Sequence, residues 1–202
     1  LNRHLGQNYL IDDLKRKKIL NFANLSSKDT VLEVGSGIGT LTIPLAREAG
    51  KVVAIEQDPG IFNILQDRLD DLGLNNIELI NADALSIDFP YFNKIVSNLP
   101  YQISSPITFK LLEYDFDFAI LMYQKEFAQR MNAHAGSKHY SRLSVMLHFK
   151  AKTKILDYIP PQAFIPPPKV ESSLVKLVPL KNKDIDEFFA SVCRALFQHR
   201  RK

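Results

Sequence analysis

The sequence predicts an α/β fold, with a mostly parallel seven-stranded sheet that ends in an antiparallel hairpin. Two observations carry this. Through residue 133, short apolar runs rich in Val and Ile alternate with helix-length segments, the order that right-handed βαβ crossovers impose. The last two strand patterns have no helix-length segment between them, so they pair antiparallel.

Each element has its own signal. Residues 11–23 carry Ile11, Leu14, Ile19, Phe22 and Ala23 at roughly helical spacing, and 26–29 form a loop. Residues 30–34 are the first strand, followed by glycines, and 40–49 read as a helix. Residues 51–55 are a β-branched second strand, and 60–72 a helix with Ile61, Ile64, Leu65, Leu69 and Leu72 on one stripe. Residues 77–80 and 94–97 are the third and fourth strands. Pro106 sits in the first turn of a helix reaching about Tyr114, where a missing N–H is harmless. Residues 116–122 are a strand, 124–133 a helix, and 143–158 are predicted to be strand, one long or two short. Pro160-Pro161 and Pro166-Pro167-Pro168 bracket a rigid loop around Phe164. Residues 172–178 form a late strand and 184–198 a final helix.

Composition narrows the class. With 202 residues and 46% hydrophobic content, the chain makes one large domain with at most a small appendage. A lone cysteine, Cys193, excludes an internal disulfide and points to a reducing cytoplasm; on a helix it reads as a small buried apolar residue. No run of about 18 apolar residues is present to span a membrane, and no secretory pattern opens the chain. The five histidines, at 4, 134, 139, 148 and 199, lack metal-ligand or triad spacing, so no metal is expected, and monomer is the default state. The net charge of +4 conceals an asymmetry, +3 over residues 1–30, −8 over 31–120 and +9 over 121–202. Basic ends can neutralise phosphates, which points to nucleic acid; Lys15-Arg16-Lys17-Lys18 and Arg200-Arg201-Lys202 are the densest clusters. The chain opens on Leu1 and stops within a basic helical pattern, as a trimmed chain would.

Four strand ends carry the chemistry. Ligands in open α/β sheets bind in the crevice beyond the strands' carboxyl ends. Glu33-Val34-Gly35-Ser36-Gly37-Ile38-Gly39-Thr40 follows the first strand, and its glycines let a ligand approach the backbone. The dinucleotide pattern G-x-G-x-x-G would need glycine at 40, where Thr stands, which disfavours a nicotinamide-dependent reductase. Glu56 ends the second strand, where a carboxylate can accept both hydroxyls of a ribose. Asp83 follows the third and can accept from an adenine amino group, although either acid could equally cap a helix. This describes a site for an adenosine without phosphates. After the fourth strand, Asn98-Leu99-Pro100-Tyr101 adds a carboxamide, carbonyls without a competing N–H at Pro100, and a flat phenol. Such a cluster can hold an exocyclic amino group on a flat ring, while Leu99 packs.

These residues resemble the small-subunit (16S/18S) ribosomal RNA adenine N6,N6-dimethyltransferase family, and Leu121–Ala128 resembles its archaeal/eukaryotic branch. The likeness runs from Leu5 to the end, through Leu5–Leu10, the glycine loop, Glu56, Asp83, Asn98–Pro106 and Ala163–Val170. It implies a Rossmann-like, S-adenosylmethionine-dependent methyltransferase. Asn8, Leu10, Gly35, Gly37, Glu56, Asp83 and Asn98 would hold the cofactor. Asn98 and Pro100 would accept the two hydrogens of the target N6, and Tyr101 and Phe164 would stack on the two faces of a flipped base. It implies a catalytic domain over 1–183 and the start of a C-terminal helical region over 184–202. By the same resemblance, the remainder of the family's small helical domain is expected to be missing from these 202 residues. The implied partner is small-subunit ribosomal RNA or the pre-small subunit, with two adjacent adenines near the RNA's 3′ end as targets. Two alternatives stay open: a large-subunit enzyme of the antibiotic-resistance type, and a non-enzymatic RNA-binding assembly factor with the same fold.

Overall fold

A computed structural model of the chain describes residues 8–180 and 187–198. The elements are, in order, β1 (Tyr9–Leu10), α1 (Asp13–Ala23), β2 (Thr30–Val34), α2 (Thr42–Glu48), β3 (Lys51–Glu56), α3 (Pro59–Asp71), β4 (Ile77–Asn81), β5 (Lys94–Asn98), α4 (Ser104–Leu111), β6 (Phe118–Gln124), α5 (Lys125–Met131), α6 (Arg142–Lys150), β7 (Ala151–Ile159), β8 (Phe164–Ile165), β9 (Ser172–Pro179) and α7 (Glu187–Gln198). One-turn 3₁₀ helices cover Tyr101–Ile103 and Pro161–Ala163.

Seven strands form one sheet in the order β4-β3-β2-β5-β6-β9-β7. The first five pair in parallel, and β9 lies antiparallel to both β6 and β7, so the predicted hairpin is present. Strand order reverses between β2 and β5, which opens a crevice at their carboxyl ends. Successive side chains on a strand point to opposite faces, and buried strands need apolar residues on both. Leu32, Val53, Ile95 and Leu121 accordingly face one core with Ile107, Leu111, Met131 and Leu147 of α4, α5 and α6. Their neighbours Val31, Val52, Val96 and Ile120 face a second core with Ile19, Ala23 and Leu45 of α1 and α2. Aspartates start two helices: Asp12 accepts from Lys15 N, and Asp58 from Gly60 N and Ile61 N.

Residues 142–150 depart from the strand predicted for them. Leu143, Ser144 and Leu147 are buried on one face of α6, and a Ser141–Ser144 capping box begins the helix. Only from Ala151 does the chain become strand, so the stretch predicted as one long or two short strands divides into α6 and β7. The basic run on α1 also differs from expectation. Lys15 and Lys18 both reach Asp157 at 2.9 Å, and Arg16 pairs with Asp13. Three of its four cations thus hold α1 onto β7 or onto its own first turn, which commits most of the run to structure. Residues 199–202, with the second basic cluster, lie outside the described residues, as do Leu5, Gly6 and Gln7 of the N-terminal motif. Cys193 is buried, as predicted. Among the described residues, no helix is long and apolar enough to cross a membrane.

At the opposite end of the sheet from the crevice, Asp29 organises a buried polar cluster. It receives hydrogen bonds from Ser26, Asn93 and Lys94, whose ammonium lies 3.0 Å away and also donates to the Asn24 carbonyl. Burial alone would raise the Asp29 carboxyl, but the bonds from Asn93, Lys94 and Ser26 outweigh it and hold the group at about 2. The depressed value means that Asp29 contributes stability above its ordinary range and loses it as pH falls toward 2. Between pH 4 and pH 2 the melting temperature of the wild type should therefore fall more steeply than that of Asp29→Asn, as read by circular dichroism; parallel curves would contradict this.

Candidate active site

A cavity opens where the crevice was expected, at the carboxyl ends of β2, β3, β4 and β5. Gly35, Gly37, Glu56, Asp83, Asn98, Pro100 and Tyr101 line it, and so do Asn8 and Tyr9 from the N-terminal strand. The parallel register delivers this grouping, because Val34 pairs with Ile55 and Glu56 with Asn81.

The glycine loop is held from behind. Gly35 N and Ser36 N donate to the Ile55 carbonyl, and Gly37 N donates to Glu56 Oε2 at 2.8 Å. Glu56 Oε1 accepts from Asp58 N at 2.9 Å. Each Glu56 oxygen thus has one backbone partner and lone pairs to spare. Gly35 and Gly37 have φ of +77° and +55°, backbone that side chains with a Cβ rarely adopt. A Cβ on Gly35 would stand 3.0 Å from Pro100 Cδ, and one on Gly37 would stand 2.7 Å from the Tyr9 ring. Asp83 accepts once on each oxygen within its own turn, from Leu85 N and Ser86 Oγ, and keeps a lone pair on each while lining the cavity.

Asn98 is oriented by the N-terminal strand. Its Nδ2 donates to the Asn8 carbonyl at 2.9 Å, which leaves Oδ1 as the acceptor offered to the cavity. The Pro100 carbonyl accepts from Ile103 N at 3.2 Å and keeps a second lone pair. Leu99 is buried and packs in the core, as predicted. The Tyr101 hydroxyl bonds Ser172 Oγ at 2.6 Å.

The chain matches the family model described as "Ribosomal RNA adenine dimethylase" over residues 1–202. It belongs to the ribosomal RNA adenine dimethylase family. It is 59% identical over 202 residues to a probable ribosomal RNA small subunit methyltransferase A of Methanothermobacter thermautotrophicus, covering all of this chain and 72% of that one. Its structure is similar to that of a dimethyladenosine transferase from Plasmodium falciparum, with a TM-score of 0.87 and 38% identity over 96% of this chain and 72% of the other. A 23S rRNA methyltransferase, ErmE, is similar at a TM-score of 0.77 and 30% identity, over 95% of this chain and 78% of the other. The predicted Rossmann-like methyltransferase fold is thus the fold of this dimethylase family.

Two residues assigned to the site by resemblance are not among those that line this cavity. Leu10 is fully buried in the core and does not line the cavity. Phe164, expected as an open stacking wall, is 2% exposed and presents no face there. The cause is strand pairing: Leu10 opposes Phe164 in the β1–β8 ladder, and both side chains turn into the same apolar cluster. Conversely, Tyr9 lines the cavity without having been singled out. Its ring covers Gly37, and its buried hydroxyl has no hydrogen-bond partner among the described residues. Burial, with Glu56 and Asp58 adding to it, pushes the Tyr9 phenol up. Glu33, which opens the glycine loop, is 2% exposed, and burial pushes its carboxyl up to about 8. An aromatic next to Asn8 was a legible signal, whereas the burial of Glu33 was not. Gly37→Ala should weaken cofactor binding by about tenfold or more, since a left-handed backbone costs a non-glycine residue roughly 1–2 kcal/mol and Tyr9 must also move. Calorimetry checks this, and unchanged affinity would contradict it.

Proposed function

We propose that this chain transfers methyl groups from S-adenosylmethionine to N6 of adenines in small-subunit ribosomal RNA, dimethylating two adjacent adenines during ribosome biogenesis in the cytoplasm. The observation that carries this reading is the single cavity in which Glu56 and Asp83, suited to an adenosine, stand beside the oriented Asn98 amide and Tyr101. The residues fit the cofactor: Glu56 would accept from ribose hydroxyls, Asp83 would accept from the adenine amino group, and Gly35 and Gly37 keep the loop free of side chains. The unpartnered Tyr9 hydroxyl adds a polar group on the same wall. When bound, S-adenosylmethionine supplies a methyl group activated by a sulfonium.

The protein's own contribution is positioning and charge stabilisation. N6 of adenine is a poor nucleophile because its lone pair is delocalised into the ring. Asn98 Oδ1 and the Pro100 carbonyl would accept its two hydrogens, which localises the lone pair and stabilises the positive charge that develops on nitrogen. Tyr101 would stack on the flipped base, an interaction worth about 1–3 kcal/mol that offsets the cost of leaving the RNA stack. Phe164 would act indirectly, by seating β1 so that Asn8 holds Asn98. Division into a catalytic domain over 1–183 and a helical region beginning at 184 is consistent with α7, which docks on α6 through Phe149 and Phe189 at 4.9 Å. The protein would act as a monomer on a pre-small subunit.

For the RNA path we favour a groove beside the site over the α1 run. Arg130, Arg142 and Arg194 line it with Ser105, Phe109 and Phe127, and Ser105 follows the Tyr101–Ile103 turn by two residues. Lys138 lies in the adjoining hollow with Glu126 and His139. None of these three arginines, nor Lys138, is in an ion pair among the described residues. Cations interleaved with aromatic faces suit a single strand that splays its bases.

Three outcomes are expected. Asn98→Ala should abolish transfer of labelled methyl while leaving cofactor affinity within about tenfold, and wild-type turnover would refute its role. With each purified ribosomal subunit tested separately, label should enter small-subunit RNA at adjacent adenines, as mass mapping would read; label confined to the large subunit would favour the ErmE-like reading. Arg142→Glu should lower the slope of log affinity against log salt by about one or more, whereas Lys18→Glu should act mainly on stability. Equal salt slopes for the Arg142 variant and the wild type would remove the groove from the RNA path.

A further inference from the structure

Tyr101 belongs to a single 3₁₀ turn, which is too short to hold the plane of a ring by itself. A phenol so placed can exchange rotamers unless its far end is tied. Here the far end is tied: the Tyr101 and Ser172 hydroxyls meet at 2.6 Å. Ser172 is fully buried and opens β9 between two other strands, its Cα opposite Gln124 of β6 and Ile159 of β7. It is thus as firmly placed as any residue in the sheet. Its predecessor Glu171 adds a further tie, since the Glu171 carbonyl accepts from Lys125 N at the start of α5. Burial pushes the Tyr101 phenol up and the bond from Ser172 lowers it only in part, so both hydroxyls stay neutral near pH 7.

We propose that Ser172 is a positioning residue for methyl transfer: by tying the Tyr101 hydroxyl to the central sheet it sets the plane of the ring, and with it the plane of the adenine stacked there relative to Asn98. The inference rests on the reading of Tyr101 as the stacking wall. The need is geometric. Asn98 Oδ1 and the Pro100 carbonyl can meet both N6 hydrogens only when the base plane is set, and attack on a methyl group requires the same alignment. A tie made at folding supplies that order before RNA arrives, so ordering the ring costs nothing at binding.

The test compares Ser172→Ala, Tyr101→Phe and the double variant in methyl transfer to small-subunit RNA at saturating cofactor. Tyr101→Phe keeps the ring and removes only its tie, so it reads the same bond should Ser172→Ala fail to fold. Each single variant should lower kcat by about three- to tenfold, the size of one buried hydrogen bond, with cofactor affinity unchanged. The double variant should be no slower than either single one. RNA carrying 2-aminopurine at the mapped target, which lacks N6 and so reads stacking alone, should be dimmer when bound to the wild type than when bound to either variant, because an ordered Tyr101 ring quenches the flipped base. Wild-type kcat in Ser172→Ala, or losses that multiply in the double variant, would overturn the proposal. A wild type that binds cofactor and methylates no small-subunit RNA would instead overturn the functional reading, and this inference with it.

Discussion

One hydrogen bond connects the parts of this site, that from Asn98 Nδ2 to the Asn8 carbonyl. An amide at a strand end can present either its oxygen or its nitrogen to a ligand, and these have opposite hydrogen-bonding character. With Nδ2 engaged by a backbone carbonyl, the oxygen is the end of the amide left to accept from a ligand. The bond depends in turn on where residue 8 sits, and that is set by the pairing of Tyr9 with Ile165 and of Leu10 with Phe164. The buried Leu10 and Phe164 side chains anchor this ladder. The Tyr9 ring then lies over Gly37, so the strand that orients Asn98 also covers the glycine loop. The glycine loop and the Asn98 amide, on opposite sides of the proposed reaction, therefore share one wall of the cavity.

The rest of the sheet supplies a rigid frame for that wall. Parallel pairing brings Gly35, Glu56 and Asp83 to one edge, while the antiparallel entry of β9 brings Ser172 to the back of Tyr101. Polar residues at this edge satisfy one another before any ligand binds: Glu56 holds Gly37 N, and Asp83 holds its own turn. Such preorganisation is what a positioning mechanism requires, since the reaction asks for alignment more than for acid–base chemistry.

Much of this was legible in the sequence, because it rests on local pattern. Alternating apolar runs located six of the seven strands of the main sheet, though not the short β1–β8 pair, and residue types at four strand ends located the cavity. What was not legible depends on contacts between distant parts of the chain. Phe164 looks like an exposed aromatic between prolines, and only its pairing with residue 10 turns it inward. Lys15 and Lys18 look like a free basic face, but Asp157, some 140 residues away, claims both. The strand predicted across α6 failed for a local reason. Leu143, Val145, Leu147 and Phe149 alternate as a strand would, yet Leu143, Ser144 and Leu147 share a helical face, and burial of that face decided the outcome.

The central claim is that the N-terminal strand aims the Asn98 oxygen at the target nitrogen. The most direct measurement is a crystal structure of the protein with S-adenosylhomocysteine and adenosine in the acceptor pocket. The account predicts Asn98 Oδ1 within hydrogen-bonding distance of the adenosine N6, Nδ2 still on the Asn8 carbonyl, and the base against Tyr101. An amide turned the other way, or an adenosine bound away from Asn98, would contradict it.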